Sequence, residues 1–214
     1  MNKNFQFFIV PRGPLETNTV IIAHGADAII FDPDGDAGFW IEWLESRGLF
    51  LRNIYLTHGH FDHIGAVADL CEHYNCAWYM HPADMPIVKM GNAFGFLFGA
   101  KPVKRPNNPP VPLAESGHME IMPGLMTQLI HTPGHTPGGM CFYFSELSLL
   151  ISGDTLFANT VGRTDIPLAN HKKLMQSVET LRNLGFASNT LVVPGHGMVA
   201  TIGHVCEINH YFGI

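Results

Sequence analysis

The stretch His58-Gly59-His60-Phe61-Asp62-His63 brings three imidazoles and one carboxylate into six consecutive residues. Residues 51–57, just before it, are rich in β-formers and predict a strand. Apolar residues recur at helical spacing over 64–74, just after it, and predict a helix. Donor side chains on a turn between a strand and a helix can converge on one point. Imidazole nitrogens and carboxylate oxygens bind a zinc-type ion at about 2.0–2.2 Å.

A chance histidine-rich loop is the alternative explanation, because the chain of 214 residues contains 13 histidines. Three later stretches argue against it, since each places a donor shortly after an apolar run that predicts a strand. The pairs of run and donor are 125–130 with His135, 147–152 with Asp154, and 190–193 with His196. Ligands in α/β sheets gather at the carboxyl ends of strands. We therefore expect these donors to lie at one sheet edge with those of residues 58–63.

Four motifs, HGHFDH, HTPGH, SGDTLF and PGHG, occur in this order and resemble the metallo-β-lactamase superfamily over nearly the whole chain. SGDTLF followed by VGRTD looks like the branch of glyoxalase II and persulfide dioxygenases. The ending PGHGMVATIGH looks like compact glyoxalase-II-like (hydroxyacylglutathione hydrolase-like) enzymes that lack a C-terminal helical domain. The resemblance implies an α/β fold, a four-layer αββα sandwich, in a single domain over residues 1–214. Two sheet-forming halves are expected, at about 1–110 and 111–214.

The resemblance also divides the donors between two divalent metal ions. The first ion would be bound by His58, His60 and His135, the second by Asp62, His63 and His196, and Asp154 would bridge both. Seven donors are too many for one tetrahedral ion, and a bridging ligand must be a carboxylate because imidazole offers a metal a single lone pair. Zinc is favoured, with iron or manganese as alternatives. Asp154 stands where many secreted lactamases carry cysteine, which points away from an antibiotic-cleaving enzyme.

The chemistry predicted from this donor set is hydrolysis by a hydroxide that bridges two metal ions, oriented by Asp62 as the catalytic residue. No separate general acid is evident in the sequence. A thioester suits such a site, because a thiol pKa of about 8.5 lets the thiolate leave without a proton. The resemblance implies S-lactoylglutathione or a similar thioester. Two alternatives stay open: a persulfide dioxygenase with one iron, since these ligands also suit Fe(II), and a metal-binding protein without catalysis.

Arg163 is the predicted substrate-binding residue. Glyoxalase II enzymes similar to this chain carry a basic residue after the Gly162 position and then a tyrosine, both in contact with the thiol carrier. Arg163 keeps the charge, but Asp165 stands where the tyrosine would be. Arg163 could bind a substrate carboxylate through two parallel hydrogen bonds, or it could form an internal ion pair with Asp165. The short chain after His196 also leaves no room for a glutathione-gripping helical domain, so we expect weak selection of the carrier.

Composition sets the remaining expectations. A net charge of −6 gives no reason to expect a nucleic-acid partner. No run approaches the roughly 18 apolar residues of a membrane-spanning helix, and the apolar run 5–10 is too short for a signal peptide. The four cysteines, at 71, 76, 141 and 206, show no metal-binding or disulfide spacing, and Cys71 and Cys141 are expected to pack in the core. These features favour a cytoplasmic protein whose partner is a small-molecule thioester, with no membrane partner.

Other segments predict local structure. Residues 19–31 predict a hairpin, 38–47 a helix ended by Gly48, and 170–184 a helix with Asn170 as its N-cap. Residues 85–110 alternate glycine with phenylalanine and then become rich in proline, so neither a usual helix nor a usual strand is expected there. This segment is either a flexible aromatic flap over the metal site or a connector that covers the edge of the core.

Overall fold

The computed structural model describes residues 4–97 and 102–213. The chain forms two compact units, Met1–Leu113 and Ala114–Ile214. This division agrees with the predicted halves at about 1–110 and 111–214, and each unit contains one six-stranded sheet. The expectation of a single domain over the whole chain stays a prediction.

Over residues 4–97 and 102–113, the first unit is a mixed sheet with three α-helices. Its elements are β1 (Gln6–Arg12), β2 (Thr17–His24), β3 (Asp27–Phe31), α1 (Ala37–Glu45), β4 (Phe50–Tyr55), α2 (Val67–Tyr74), β5 (Ala77–Met80), α3 (Met85–Leu97) and β6 (Val111–Pro112). The strands follow one another in sheet order, antiparallel from β1 to β3 and parallel from β3 to β6. The predicted hairpin is confirmed by the pairing of β2 with β3.

Helix α1 confirms the predicted helix over 38–47. The Asp36 carboxylate caps it by accepting a hydrogen bond from the Phe39 N–H at 3.3 Å. Trp40 and Leu44 are fully buried in the core cluster that α1 and α2 form with this sheet. Gly48 follows the end of the helix with a φ of 65°, a left-handed conformation that glycine adopts without steric cost. Apolar periodicity and end signals therefore suffice to locate this helix.

The second unit is a mixed sheet with two helices. Its elements are β7 (Ser116–Met122), β8 (Leu125–His131), β9 (Met140–Phe144), β10 (Leu149–Gly153), α4 (His171–Asn183), β11 (Leu191–Pro194), β12 (Ala200–Thr201) and α5 (Ile202–Ile208). The sheet order is β12-β11-β10-β9-β8-β7, and only β10 and β11 pair in parallel among these neighbours. The predicted N-cap of α4 is confirmed, since Asn170 Oδ1 accepts a hydrogen bond from the Lys173 N–H at 3.0 Å.

The expectation for residues 85–110 was wrong, because helix α3 occupies Met85–Leu97. Gly91 lies where a Cβ would be 3.7 Å from the Phe61 Cβ, an ordinary packing distance. Asn92, inside the helix, holds the later segment at Val103. Its Oδ1 accepts from the Val103 N–H at 2.7 Å, and its Nδ2 donates to the Val103 carbonyl at 3.1 Å. Tertiary contacts thus offset the roughly 1 kcal/mol that each helical glycine costs. Phe98 and Gly99 of the pattern lie outside the described residues.

Three predicted boundaries shift by two or three residues. Strand β4 ends at Tyr55 rather than at residue 57, and α2 begins only at Val67. Strand β10 begins at Leu149 because Ser145–Leu147 form a short 3-10 turn. The motif residues 58–63 therefore lie in a longer loop between β4 and α2. Within residues 4–97 and 102–213, none of the helices combines the length and apolar character that a membrane span requires.

Candidate metal centre

The predicted donors of the first unit lie close together in the loop between β4 and α2. The ring centroid of His58 is 4.8 Å from that of His60 and 4.0 Å from that of His63. The Nε2 atom of His63 is 3.7 Å from Asp62 Oδ2. His58, Asp62 and His63 are buried, whereas His60 is half-buried. The structure thus brings four of the predicted ligands together within this unit.

Asp32 orients two of these histidines. Its carboxylate accepts hydrogen bonds from the Thr57 N–H at 2.8 Å and from the Thr57 hydroxyl at 2.7 Å. Because that hydroxyl proton goes to Asp32, the Thr57 oxygen, 3.0 Å from His58 Nδ1, accepts from that nitrogen. Asp32 Oδ2 also lies 3.0 Å from His63 Nδ1. Both contacts favour the tautomer with the proton on Nδ1, which would leave Nε2 to bind a metal ion.

The backbone of Asp32 is held in a left-handed conformation, with a φ of 49°. Its N–H donates to the Tyr55 carbonyl at 3.1 Å, and its carbonyl accepts from the Thr19 hydroxyl at 2.8 Å. A non-glycine residue in this region costs about 1–2 kcal/mol, which these contacts offset. Asp32 was not among the predicted site residues, although its sequence context resembles that of the predicted donors. The residue directly follows the apolar run 28–31 and precedes a proline, which is the context that identified the donors.

Replacing Asp32 by alanine is expected to weaken metal binding about 10- to 100-fold, because ligand histidines lose the partner that sets their tautomer. Titration of the metal-free protein with Zn²⁺ against a chromogenic chelator measures the change. Asp36→Ala is the matched control: it removes an exposed helix cap worth about 1 kcal/mol of stability and should leave Zn²⁺ affinity unchanged. Equal affinity in the two variants would contradict the role assigned to Asp32.

Helix α3 supports the donor loop at Gly59. The Gly59 N–H donates to Asp84 Oδ2 at 2.9 Å. A Cβ at this position would lie 3.0 Å from the Asp84 carbonyl oxygen and 3.0 Å from Val88 Cγ2, tighter than most real Cβ contacts. A larger residue between the first two histidines would therefore have to displace these neighbours. The 3-10 turn Pro82–Asp84 and helix α3 thus both brace the loop, and the action of residues 85–110 as a flap over the site stays a prediction.

The three predicted donors of the second unit also converge. Asp154 follows β10, His135 lies in the loop after β8, and His196 follows β11. Asp154 Oδ2 is 3.3 Å from His135 Nε2 and 3.9 Å from His196 Nε2. A carboxylate oxygen close to the Nε2 atoms of two imidazoles lies where a bridging ligand would be expected. This arrangement fits the role predicted for Asp154.

Backbone and hydroxyl contacts hold these loops in place. The His135 Nδ1 is 2.9 Å from the Arg163 carbonyl and donates to it, which leaves Nε2 for a metal. The hydroxyls of Thr132 and Thr155, 2.8 Å apart, join the His135 loop to the Asp154 turn. The Gly195 N–H donates to the Gly153 carbonyl at 2.9 Å and joins the ends of β10 and β11. Three loops are therefore tied together at this edge of the sheet.

Arg163 forms the internal ion pair that was one of its two predicted states. Its Nε and a terminal nitrogen donate to the two carboxylate oxygens of Asp165, each at 2.8 Å. The guanidinium lowers the pKa of the Asp165 carboxyl to about 2. Substrate binding by Arg163 stays a prediction. Its backbone carbonyl, which orients His135, is a contribution that no sequence pattern reveals.

Comparison with known proteins covers nearly the whole chain. Residues 12–196 match the family model of the metallo-beta-lactamase superfamily. The hydroxyacylglutathione hydrolase GloC of Haemophilus influenzae is 32% identical over 214 residues, which cover 95% of this chain and 96% of the relative. TTHA1623 in a di-iron-bound form is 35% identical with a TM-score of 0.86, covering 95% of this chain and 99% of that one. The BLEG-1 B3 metallo-beta-lactamase is 31% identical with a TM-score of 0.82, covering 97% and 99%.

Proposed function

Because the chain belongs to the metallo-beta-lactamase superfamily and has its fold, we propose that it hydrolyses thioesters at a centre of two divalent metal ions. The proposed ligands are His58, His60 and His135 for one ion, Asp62, His63 and His196 for the other, and Asp154 for both. Membership of this superfamily supports a metal-dependent hydrolase. The similarity to GloC, a hydroxyacylglutathione hydrolase, supports a 2-hydroxyacyl thioester such as S-lactoylglutathione.

One observation carries the proposal: three predicted ligands have Nδ1 next to an acceptor. His58 Nδ1 lies 3.0 Å from the Thr57 hydroxyl, His63 Nδ1 lies 3.0 Å from Asp32, and His135 Nδ1 lies 2.9 Å from the Arg163 carbonyl. Metal-binding histidines commonly hold their second nitrogen in this way, which fixes the ring and the tautomer. A histidine-rich surface loop without a metal would not need three separate partners. The donors themselves are imidazoles and carboxylates, which suit borderline and hard divalent cations.

The residues of the chain have distinct parts in the proposed reaction. When bound, two divalent cations lower the pKa of water to about 7 and polarise a carbonyl oxygen. Asp62, buried and 3.7 Å from His63 Nε2, would orient the attacking hydroxide by accepting its hydrogen bond. The Thr17 hydroxyl donates to the Asp62 carbonyl at 2.8 Å and steadies this residue. A thioester releases a thiolate, which leaves without help from a general acid because a thiol pKa is about 8.5.

The metals are the least specific part of the proposal. Imidazole and carboxylate ligands suit zinc, iron and manganese. Zinc is our first choice, while the di-iron form of TTHA1623 supports iron as well. A persulfide dioxygenase with a single iron is the second candidate, because the same ligands leave open positions on Fe(II). The cytoplasmic location and the lack of nucleic-acid and membrane partners stay predictions.

The deciding experiment tests three substrates on one preparation of the protein whose metal content has been measured. We expect thiol release from S-lactoylglutathione, no oxygen uptake with glutathione persulfide, and little opening of a chromogenic cephalosporin. Asp62→Ala should slow thiol release by about 10²- to 10⁴-fold, since a positioned carboxylate contributes this much to proton handling. Asp27→Ala, which removes an exposed carboxylate that pairs with Arg52, is the control and should keep most of the activity.

Each of the other possible outcomes would indicate a different function. Oxygen uptake without thiol release would establish the dioxygenase in place of the hydrolase. Opening of the cephalosporin as fast as thioester cleavage would show that Asp154 does not exclude antibiotic hydrolysis. Turnover of none of the three by a fully metal-loaded protein would leave metal binding as the function.

Weak selection of the thiol carrier is expected within this function. The Arg163 guanidinium is held by both oxygens of Asp165, so a carrier carboxylate would have to displace that pair. Contacts to the carrier stabilise the bound substrate and the transition state equally. Their loss therefore raises KM more than it lowers kcat. We expect kcat/KM for S-lactoylglutathione to exceed that for the same acyl group on a small thiol by less than about a hundredfold. A larger ratio would show that a dedicated carrier site exists.

A further inference from the structure

Cys71 and Cys76 line one cavity in the first unit, on the side of α2 and β5. The cavity has a volume of about 390 Å³ and is also lined by Glu72, Asn75 and Trp78. Asn75 ends α2 in a left-handed conformation, with φ and ψ of 51° and 44°, and so turns the chain back over the last turns of the helix. Both thiols are free and half-buried. Five residues apart in sequence, they are neighbours in the fold.

The two thiols differ in reactivity because a hydrogen bond joins them. The Cys71 S–H donates to the Cys76 sulfur, which raises the pKa of Cys71 and lowers the pKa of Cys76. The bond stabilises the neutral thiol of the first and the thiolate of the second. The thiolate is the attacking species in thiol–disulfide exchange. In an exchange reaction, Cys76 would therefore be the attacking sulfur and Cys71 the sulfur that resolves the mixed disulfide.

The charges around the pair are partly balanced. Asp69 and Glu72 of α2 would repel a thiolate, and one lysine binds both carboxylates and offsets one of their two charges. The Nζ atom of Lys104 lies 2.7 Å from Asp69 Oδ1 and 2.6 Å from Glu72 Oε2. The other cysteines have different surroundings: Cys141 is fully buried, which raises its pKa to about 11, and Cys206 is exposed in α5.

We propose that Cys71 and Cys76 form a redox-active thiol pair whose substrates are the disulfides of low-mass thiols bound in this cavity. The Cys76 thiolate attacks one sulfur of the disulfide, a mixed disulfide forms, and the first low-mass thiolate leaves. Cys71 then attacks the Cys76 sulfur and the second thiolate leaves. The first low-mass thiolate carries off the negative charge of Cys76, and the second takes the proton of Cys71. The pair is oxidised to an internal disulfide and the small disulfide is reduced, so atoms and electrons balance.

The test uses the full chain with Cys206→Ser as background and glutathione disulfide as the probe. After incubation, unreacted thiols are alkylated and the peptide that contains residues 71–76 is weighed. We expect this peptide to lack two hydrogen atoms and to carry neither glutathione nor the alkylating group. In the added variant Cys71→Ser, whose hydroxyl can still donate to the Cys76 sulfur, the reaction should stop with glutathione on Cys76. In Cys76→Ser, glutathione should attach to Cys71 at least about tenfold more slowly.

A comparison with unfolded protein separates the fold from the mere spacing of the cysteines. In denaturant the rate difference between the Cys71→Ser and Cys76→Ser variants should vanish, because the hydrogen bond between the thiols is lost. The proposal is overturned if the native peptide remains fully alkylated, if it retains glutathione on both cysteines, or if the two single variants react at equal rates in the folded protein. None of these readouts depends on thioester cleavage, so failure of the proposed hydrolase leaves the result unchanged.

Discussion

Asp154→Ala protein is expected to purify with less than about a tenth of the metal carried by the native chain. Asp154 Oδ2 lies 3.3 Å from His135 Nε2 and 3.9 Å from His196 Nε2, so its loss would remove a ligand from both proposed ions. It would also remove the negative charge that offsets two neighbouring cations. His196→Ala should keep about one ion of the two, because it removes a ligand from a single ion. Elemental analysis of purified protein measures both variants.

Asp27→Ala is the matched control for this experiment. Asp27 is an exposed carboxylate that pairs with Arg52 at 2.7 Å, and a surface ion pair of this kind contributes about 0–1 kcal/mol. Its loss should change neither the metal content nor the fold. Two ions retained in Asp154→Ala would remove the bridging role. A single tightly bound ion in fully active native protein would replace the dinuclear assignment and favour the iron dioxygenase.

The sequence predicted the donors because their context is local. Each predicted ligand lies in a loop after a strand, and such loops can be recognised from an apolar run followed by glycine, proline and polar residues. The partners of these donors depend on tertiary structure and were therefore missed. Asp32 directly follows β3 and reaches His63 in the loop after β4. The Arg163 carbonyl reaches His135 across 28 residues of chain. A backbone carbonyl has no residue type, so no pattern could reveal the second contact.

The fold was predictable where propensity and packing agree. Helices α1 and α4 have apolar faces and end signals, and both form as predicted. Helix α3 carries glycines that disfavour a helix, yet it packs against the donor loop at Gly59 and Phe61, and these contacts decide its structure. The cysteine pair was missed for the same kind of reason. The spacing of Cys71 and Cys76 carries no motif, and the left-handed turn at Asn75 brings them together.

Gly162→Ala is expected to have a large effect on stability for a single added methyl group near the donors. A Cβ at position 162 would overlap the backbone carbonyl oxygen of Asp154 and lie 3.1 Å from the His135 Cβ. The Gly162 N–H also donates to the Thr155 carbonyl at 3.3 Å, so the glycine cannot move away without losing this hydrogen bond. Because backbone rather than a flexible side chain must shift, we expect a loss of about 3 kcal/mol or more in the free energy of unfolding.

Gly91→Ala adds the same methyl group beside the other donor loop and serves as the control. Its Cβ would lie 3.7 Å from the Phe61 Cβ, in ordinary contact, within helix α3. Alanine should therefore stabilise the protein by about 0.5–1 kcal/mol, since a helical glycine loses more backbone entropy on folding.

Urea unfolding of the metal-free variants measures both changes without a contribution from bound metal. If Gly162→Ala is as stable as Gly91→Ala, the close approach of residue 162 to Asp154 does not hold the turn. If Gly162→Ala is destabilised, it should also bind Zn²⁺ more weakly, because the displaced backbone carries Asp154.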